Sequence, residues 1–211
     1  MYIPTAFAAP GPEAVAGLLR DSGAADLVTR TADGFDATPV PFVHDPRPRP
    51  HGRLLGHLAR NNPQWRAGLG GGAPALVIVR GPDAYVTPTW YASKREHGRT
   101  VPTWNYVTAH LHGRLVAHDD PAWTEDAVRR LTLLHEAGRA EPWSVDDAPR
   151  RFTEGQLRAI VGVEVLIERV EAKWKLSQNR SGADRDGVEA GLRADPAPGA
   201  RAVADAMART R

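Results

Sequence analysis

The chain is a succession of short β-prone runs, each closed by glycine or proline, and few architectures accept that pattern. Leu27 to Thr31 and Phe35 to Val43 flank Asp33-Gly34, a pair that predicts a hairpin turn. Gly52 to Ala59 predicts another strand. Ala75-Leu76-Val77-Ile78-Val79 is continuously apolar, the pattern of a strand buried on both faces. Ala84 to Trp90, Gly162 to Val170 and Trp174-Lys175-Leu176 extend the series. The longest run is Thr103 to Ala117. Its alternation places Trp104, Tyr106, Thr108, His110 and His112 on one face and Asn105, Val107, Ala109, Leu111 and Leu115 on the other, the predicted core face.

Helical signals are fewer. Pro12 to about Asp21 is amphipathic and followed by Gly23, and Asn62-Pro63 reads as an N-cap and first residue of a short helix. Glu125 to Ala137 and Phe152 to Ile160 complete the set. The prolines of Asp45 to Pro50 fix φ and remove donors, which predicts a loop. The expected fold class is mainly β (α+β), a β-barrel with peripheral helices. One domain is expected over residues 1–192. Beyond it, Asp195 to Gly199 reads as a linker, and residues 193–211 as an alanine- and arginine-rich tail that is poorly ordered.

Composition removes several function classes. No cysteine is present, which excludes disulfides, thiolate metal sites, a cysteine nucleophile and thiolate-ligated haem. No apolar run is long enough to span a membrane, and the opening Met1-Tyr2-Ile3-Pro4-Thr5 lacks a secretory pattern, so a cytoplasmic protein with no membrane partner is expected. Cations and anions nearly balance, at 27 against 25. Lys94, Lys173 and Lys175 are the sole lysines. Charge alone therefore gives no long-range pull towards DNA. Any DNA surface would be local, with Arg129-Arg130, Arg150-Arg151 and the tail residues Arg201, Arg209 and Arg211 as candidates.

Three clusters bear chemistry. Gly56-His57-Leu58-Ala59-Arg60-Asn61-Asn62-Pro63 carries a strand into a helix start, where free N–H groups beside Arg60 suit an anion; a plain cap and a solvated arginine would look the same. Trp90-Tyr91-Ala92-Ser93-Lys94 and Val101-Pro102-Thr103-Trp104-Asn105-Tyr106 set flat apolar surfaces beside polar groups, as a planar cofactor needs and as an ordinary core also provides. Lys173-Trp174-Lys175-Leu176-Ser177-Gln178-Asn179-Arg180 is rich in donors, or is a basic edge strand. His110 and His112 stand at a chelating i, i+2 spacing, but no carboxylate nearby in the sequence has an obvious third-ligand role, so no metal site is expected.

Together these segments, with Met1-Tyr2-Ile3-Pro4 and Gly81-Pro82-Asp83-Ala84-Tyr85, resemble the PaiB family of FMN-binding negative transcriptional regulators over roughly residues 1 to 192. The resemblance implies the FMN-binding split β-barrel, a homodimer with flavin at the subunit interface, and DNA as a further partner. By motif position it places Arg60, Asn61 and Asn62 on the phosphate side and Ser93 and Lys94 as polar closers of the pocket, with Tyr91 beside them among the cofactor-binding residues. Thr103, Trp104 and Asn105 fall near the ring, and Lys175, Ser177 and Gln178 are the contribution of the last strand. The piperazate synthases are similar to the same family and use haem, for which His57 is the candidate axial ligand. The Trp90-to-Pro102 segment with Ser93 and Lys94 resembles the regulator branch, which puts FMN first and haem second. An FMN-dependent oxidoreductase is the remaining alternative.

Overall fold

A computed structural model describes residues 1–48 and 50–210; Arg49, within the segment expected to be a loop, and Arg211, the last DNA candidate, lie outside the described residues. Helix α1 (Pro12–Asp21) leads into the hairpin β1 (Ala24–Thr31) and β2 (Gly34–Pro41), in register from Ala24 opposite Pro41 to Thr31 opposite Gly34. β3 (Val43–Asp45) and β4 (Arg53–Ala59) follow, then β5 (Ala73–Val86), α2 (Ala92–His97) and β6 (Thr103–His118). α3 (Pro121–Glu136), α4 (Arg150–Arg158), β7 (Ile160–Lys175), α5 (Gly182–Ala194) and α6 (Ala200–Ala208) complete the chain.

Among the described residues the strands form one antiparallel sheet in the order β2-β1-β5-β6-β7-β4-β3, which is the β part of the expected split β-barrel but is not closed into a barrel. The reason is local. The two edge strands, β2 and β3, are separated in sequence by Phe42 alone, yet no ladder joins them. Pro39 and Pro41 have no N–H to give, and β3 has three residues, so the edges cannot close by hydrogen bonding.

The β6 alternation holds: Asn105, Val107, Ala109, Leu111 and Leu115 are buried. β5 departs from expectation twice. It runs unbroken through Gly81-Pro82, where punctuation predicted a gap, and it alternates, with Ala75, Val77 and Val79 buried and Leu76 and Ile78 half-buried. β7 likewise absorbs two predicted runs. The Trp90–Lys94 segment contains the start of α2, and the strand expected to reach Trp90 ends at Val86.

The chain divides into two compact units. One comprises Ala16–Val79 and His110–Val170. Its core is Leu27, Leu54, Leu58, Val77, Leu111, Leu115, Val161, Val163 and Val165, with Leu131 of α3 and Leu157 of α4. Beneath lies an ionic group in which Arg53 donates to Asp45 at 3.2 Å and Glu164 at 3.0 Å, both carboxylates buried. The backbone N–H of Arg47, with Arg53, holds the Asp45 carboxyl below its usual range against the opposing effect of burial. Trp123 stacks on His118 at 4.0 Å and covers Gly162, where any Cβ would meet its ring.

The other unit comprises Met1–Val15, Arg80–Ala109 and Glu171–Arg211. Residues 200–208, expected to fray, are the helix α6, with Val203, Ala204, Ala206 and Met207 buried. Alanine lets α6 approach α5 closely, and Val188 and Leu192 of α5 are fully buried. Composition suggested a tail; tertiary burial makes a helix. In the same unit, buried Lys173 donates to the Tyr2 carbonyl at 3.1 Å and sits over the rings of Tyr2, Phe7 and Tyr106. That contact explains the opening tyrosine.

Gly113 brings β6 so close to β7 that a Cβ would lie 2.0 Å from the Leu166 carbonyl oxygen. Gly113→Ala is therefore expected to lower the unfolding free energy by about 1–3 kcal/mol through overpacking. A urea melt with an unchanged midpoint would contradict this.

Candidate functional site

The site begins where β7 stops. The Gln178 side chain accepts from the Leu176 N–H at 2.7 Å and donates to the Trp174 carbonyl at 2.5 Å, standing in for a neighbouring strand. Between them Ser177 takes a left-handed backbone, φ 63°, which only asparagine and glycine adopt readily. This conformation aims its hydroxyl at Asn105 of β6, whose amide nitrogen donates to it at 3.0 Å. Both side chains are buried. Gln178, expected to touch a cofactor, is thus committed to the turn.

A cavity of about 50 Å³ opens beside this pair, lined by Thr103, Asn105, Lys175, Ser177, Asn179 and Arg180. Lys175 donates to the Thr103 hydroxyl at 2.6 Å and to the Trp104 carbonyl at 2.5 Å. Burial, reinforced by the charges of Lys173 and Arg180, pushes the Lys175 ammonium below the usual lysine value. Arg180 lies 4.9 Å from the centre of the buried Tyr91 ring. Burial also raises the Tyr91 phenol, which keeps it neutral. Excess positive charge beside neutral hydroxyl and amide groups is the composition of an anion site.

Ser93 supports this arrangement from α2. Its N–H and hydroxyl both reach the buried Asp184 of α5, each at 2.9 Å. Burial alone would raise the Asp184 carboxyl, but the Ser93 bonds, the Ser181 hydroxyl and Arg180 hold it low. Lys94 is exposed on α2. Trp104 is 49% exposed; its indole N–H donates to Asp83 at 2.9 Å, and it tilts against Tyr85. The second and third sequence clusters therefore meet within one unit.

The first cluster belongs to the other unit. Arg60 makes a two-pronged contact with Asp119, at 2.7 and 3.1 Å, and donates to the carbonyls of Arg158 and Ile160. Four of its hydrogen bonds are thus internal, and Arg60 clasps β4 to the start of β7. Asn62 accepts from the Gln64 N–H at 3.0 Å, the predicted cap, and donates to Thr38. Asn61 is exposed. His57 is half-buried with its Nδ1 shut away from any partner, and burial lowers its pKa, so the ring is neutral.

Three of the four arginines in the pairs offered as a DNA surface are ion-paired. Arg129 binds Asp146 at 2.6 Å and Glu125 at 2.8 Å, Arg150 binds Glu125 and Glu154, and Arg130 binds Asp126 and Asp45. Arg151, Arg201 and Arg209 are exposed. Sequence reasoning passed over Asp184 and Met207. Asn179 and Arg180 stood inside a quoted segment, and the density of cations there was the available signal.

The family model described as "Putative FMN-binding domain" matches residues 1–169. The chain is 31% identical over 210 residues to the protease synthase and sporulation protein PAI 2 of Bacillus subtilis, covering 98% of this chain and 96% of that one. It is also 32% identical over 183 residues to an uncharacterised protein of Emericella nidulans, covering 72% of this chain and 73% of its relative. Among solved structures, the FAD and heme binding protein of Mycobacterium smegmatis matches with a TM-score of 0.57 at 22% identity, covering 79% of this chain and 72% of that one. The flavocytochrome Anf3 of Azotobacter vinelandii matches with a TM-score of 0.55 at 17% identity, covering 83% and 70%. The fold is the one these proteins share. No described helix is long and apolar enough to cross a membrane. The chain belongs to the FMN-binding domain family, as a relative of the Bacillus subtilis PAI 2 protein.

Proposed function

We propose that the protein binds FMN as a homodimer and holds the phosphate with Lys175, Arg180, Ser177 and Thr103. The observation that carries this reading is the small cavity where Lys175 and Arg180 converge on buried, neutral hydrogen-bonding groups. Its volume, about 50 Å³, suits one phosphate group and is far too small for the flavin ring system. The ring would lie outside it, with half-exposed Trp104 as the adjoining apolar surface. Bound flavin would supply reversible hydride or electron chemistry. The chain's own part is to fix the anion and orient the ring.

Lys175→Ala or Arg180→Ala removes a charge-assisted bond worth about 1.5–3 kcal/mol, so FMN affinity is expected to fall about ten- to a hundredfold in titration calorimetry. Arg60→Ala is expected to leave affinity within about twofold while lowering the melting temperature, because its donors serve Asp119 and two backbone carbonyls. An inverted pattern would return the phosphate to the Arg60 turn.

The pH dependence follows from Lys175. Its folded-state pKa is depressed from 10.5, so the ammonium is lost at lower pH than in the unfolded chain. FMN affinity should fall as pH rises through that depressed value, and stability of the unliganded protein should rise over the interval up to 10.5. Lys175→Arg stays charged and should flatten the affinity profile. A profile unchanged by that substitution would remove Lys175 from the anion site.

A haem reading draws on one observation, the neutral His57 ring whose Nδ1 lacks a partner. Neutral imidazole is the donor that haem iron takes. The visible spectrum of the purified protein separates the two cofactors. Two broad flavin bands are expected; a Soret band abolished by His57→Ala would establish haem instead.

Transcriptional repression, which the PaiB resemblance implies, is the output we propose for the flavin-bound dimer. Its DNA contacts would draw on exposed cations such as Arg201 and Arg209, since Arg129, Arg130 and Arg150 are spent on carboxylates.

A further inference from the structure

We infer that the anion site accepts only a terminal phosphate monoester and that α6, through Met207, closes it against phosphates that carry a second substituent, such as those in the diphosphate bridge of FAD. This rests on the phosphate reading above and adds a selectivity to it. A phosphate group that continues into a second substituent needs two ways out of its pocket. The cavity, of about 50 Å³, offers room for about one such group. Its inner wall is Asn105 and Ser177, exposed by 0% and 4%. Behind that wall stands Met207, itself 1% exposed, whose sulfur lies 3.6 Å from the Asn105 amide nitrogen.

The wall is rigid for stated reasons. The Asn105 amide is held from one side by the Ser177 hydroxyl, fixed by a left-handed backbone, and touches the Met207 thioether on the other. Met207 is fixed in turn by α6, whose Val203, Ala204 and Ala206 are buried. α5 carries α6, and Asp184 ties α5 to Ser93. A second substituent on the phosphate would have to displace this stack. The family match ends at residue 169, so Asn105 falls within it while Ser177, α5 and Met207 of α6 lie outside it. The residue that sets selectivity is one that need never touch the ligand.

Titration of the full-length protein with FMN, FAD and riboflavin tests this. FMN is expected to bind at least about tenfold more tightly than either, since riboflavin lacks the anion and FAD cannot seat it. FMN and FAD binding alike, both well above riboflavin, would overturn the selectivity and leave the phosphate anchor standing. FMN no tighter than riboflavin would overturn the anchor itself. Met207→Ala opens space behind Asn105 and is expected to restore binding of the FMN monomethyl ester relative to FMN; an unchanged ratio in a folded variant would remove Met207 from the wall. Met207→Leu keeps the volume and is expected to keep wild-type selectivity. Its loss there would overturn the steric account, and the wild-type FMN-to-FAD ratio decides the proposal even if Met207→Ala does not fold.

Discussion

One side-chain amide governs the candidate site. By taking the N–H of Leu176 and the carbonyl of Trp174, Gln178 ends β7 without a neighbouring strand and forces Ser177 into a left-handed conformation. From that turn the Ser177 hydroxyl reaches Asn105, the Arg180 N–H closes onto the Ser177 carbonyl, and Ser181 caps α5. Asp184, one turn into α5, then secures Ser93. An unfavourable backbone conformation of this kind costs about 1–3 kcal/mol and persists where surrounding bonds over-determine it. Here they do, and the strained residue faces the cavity.

Charge in this protein is organised by pairing rather than by amount. The arginines of α3 and α4 are interlaced with carboxylates: Glu125 serves both Arg129 and Arg150 and is held below its usual range, Arg150 first and Arg129 second among the causes. Such exposed pairs contribute little to stability and present little net field. Lys173, Lys175 and Arg180 are different, because like charges accumulate there: burial first, and then the charges of Lys173 and Arg180, hold the Lys175 ammonium below its usual range. Two of the three lysines in an arginine-dominated chain stand in this group. A compact ammonium that can be turned by its neighbours fits a confined anion site better than a planar fork.

Much of this was legible before any coordinates. Period-two alternation in Thr103–Ala117 placed Asn105 on the buried face, because strand geometry leaves no other choice. The cap at Asn62 was legible for the same local reason. What stayed hidden was mostly the identity of hydrogen-bond and packing partners. Arg60 looks like an anion contact beside its turn, and nothing nearby shows that Asp119, fifty-nine residues on, will claim it. Gln178 reads as a ligand donor until the turn it closes is seen. The helix α6 was missed because alanine and arginine carry no strong periodic signal, whereas burial of Val203 and Met207 depends on a surface supplied by α5. The barrel expectation held for the antiparallel sheet and not for its closure, which stops at two prolines and a three-residue edge.

α5 carries a further consequence. Trp90 packs directly on its backbone, so that a Cβ at Gly187 would lie 2.1 Å from the Trp90 carbonyl oxygen and one at Gly191 would lie 2.3 Å from its ring. Each glycine inside a helix costs roughly 1 kcal/mol relative to alanine, so this sequence is a poor helix on its own. Its helicity depends on the tryptophan it is shaped around. Docking and coiling must therefore be one cooperative event, and α5 should exchange its amide hydrogens as a block together with the Trp90 segment, opening and closing as a single unit of the native ensemble.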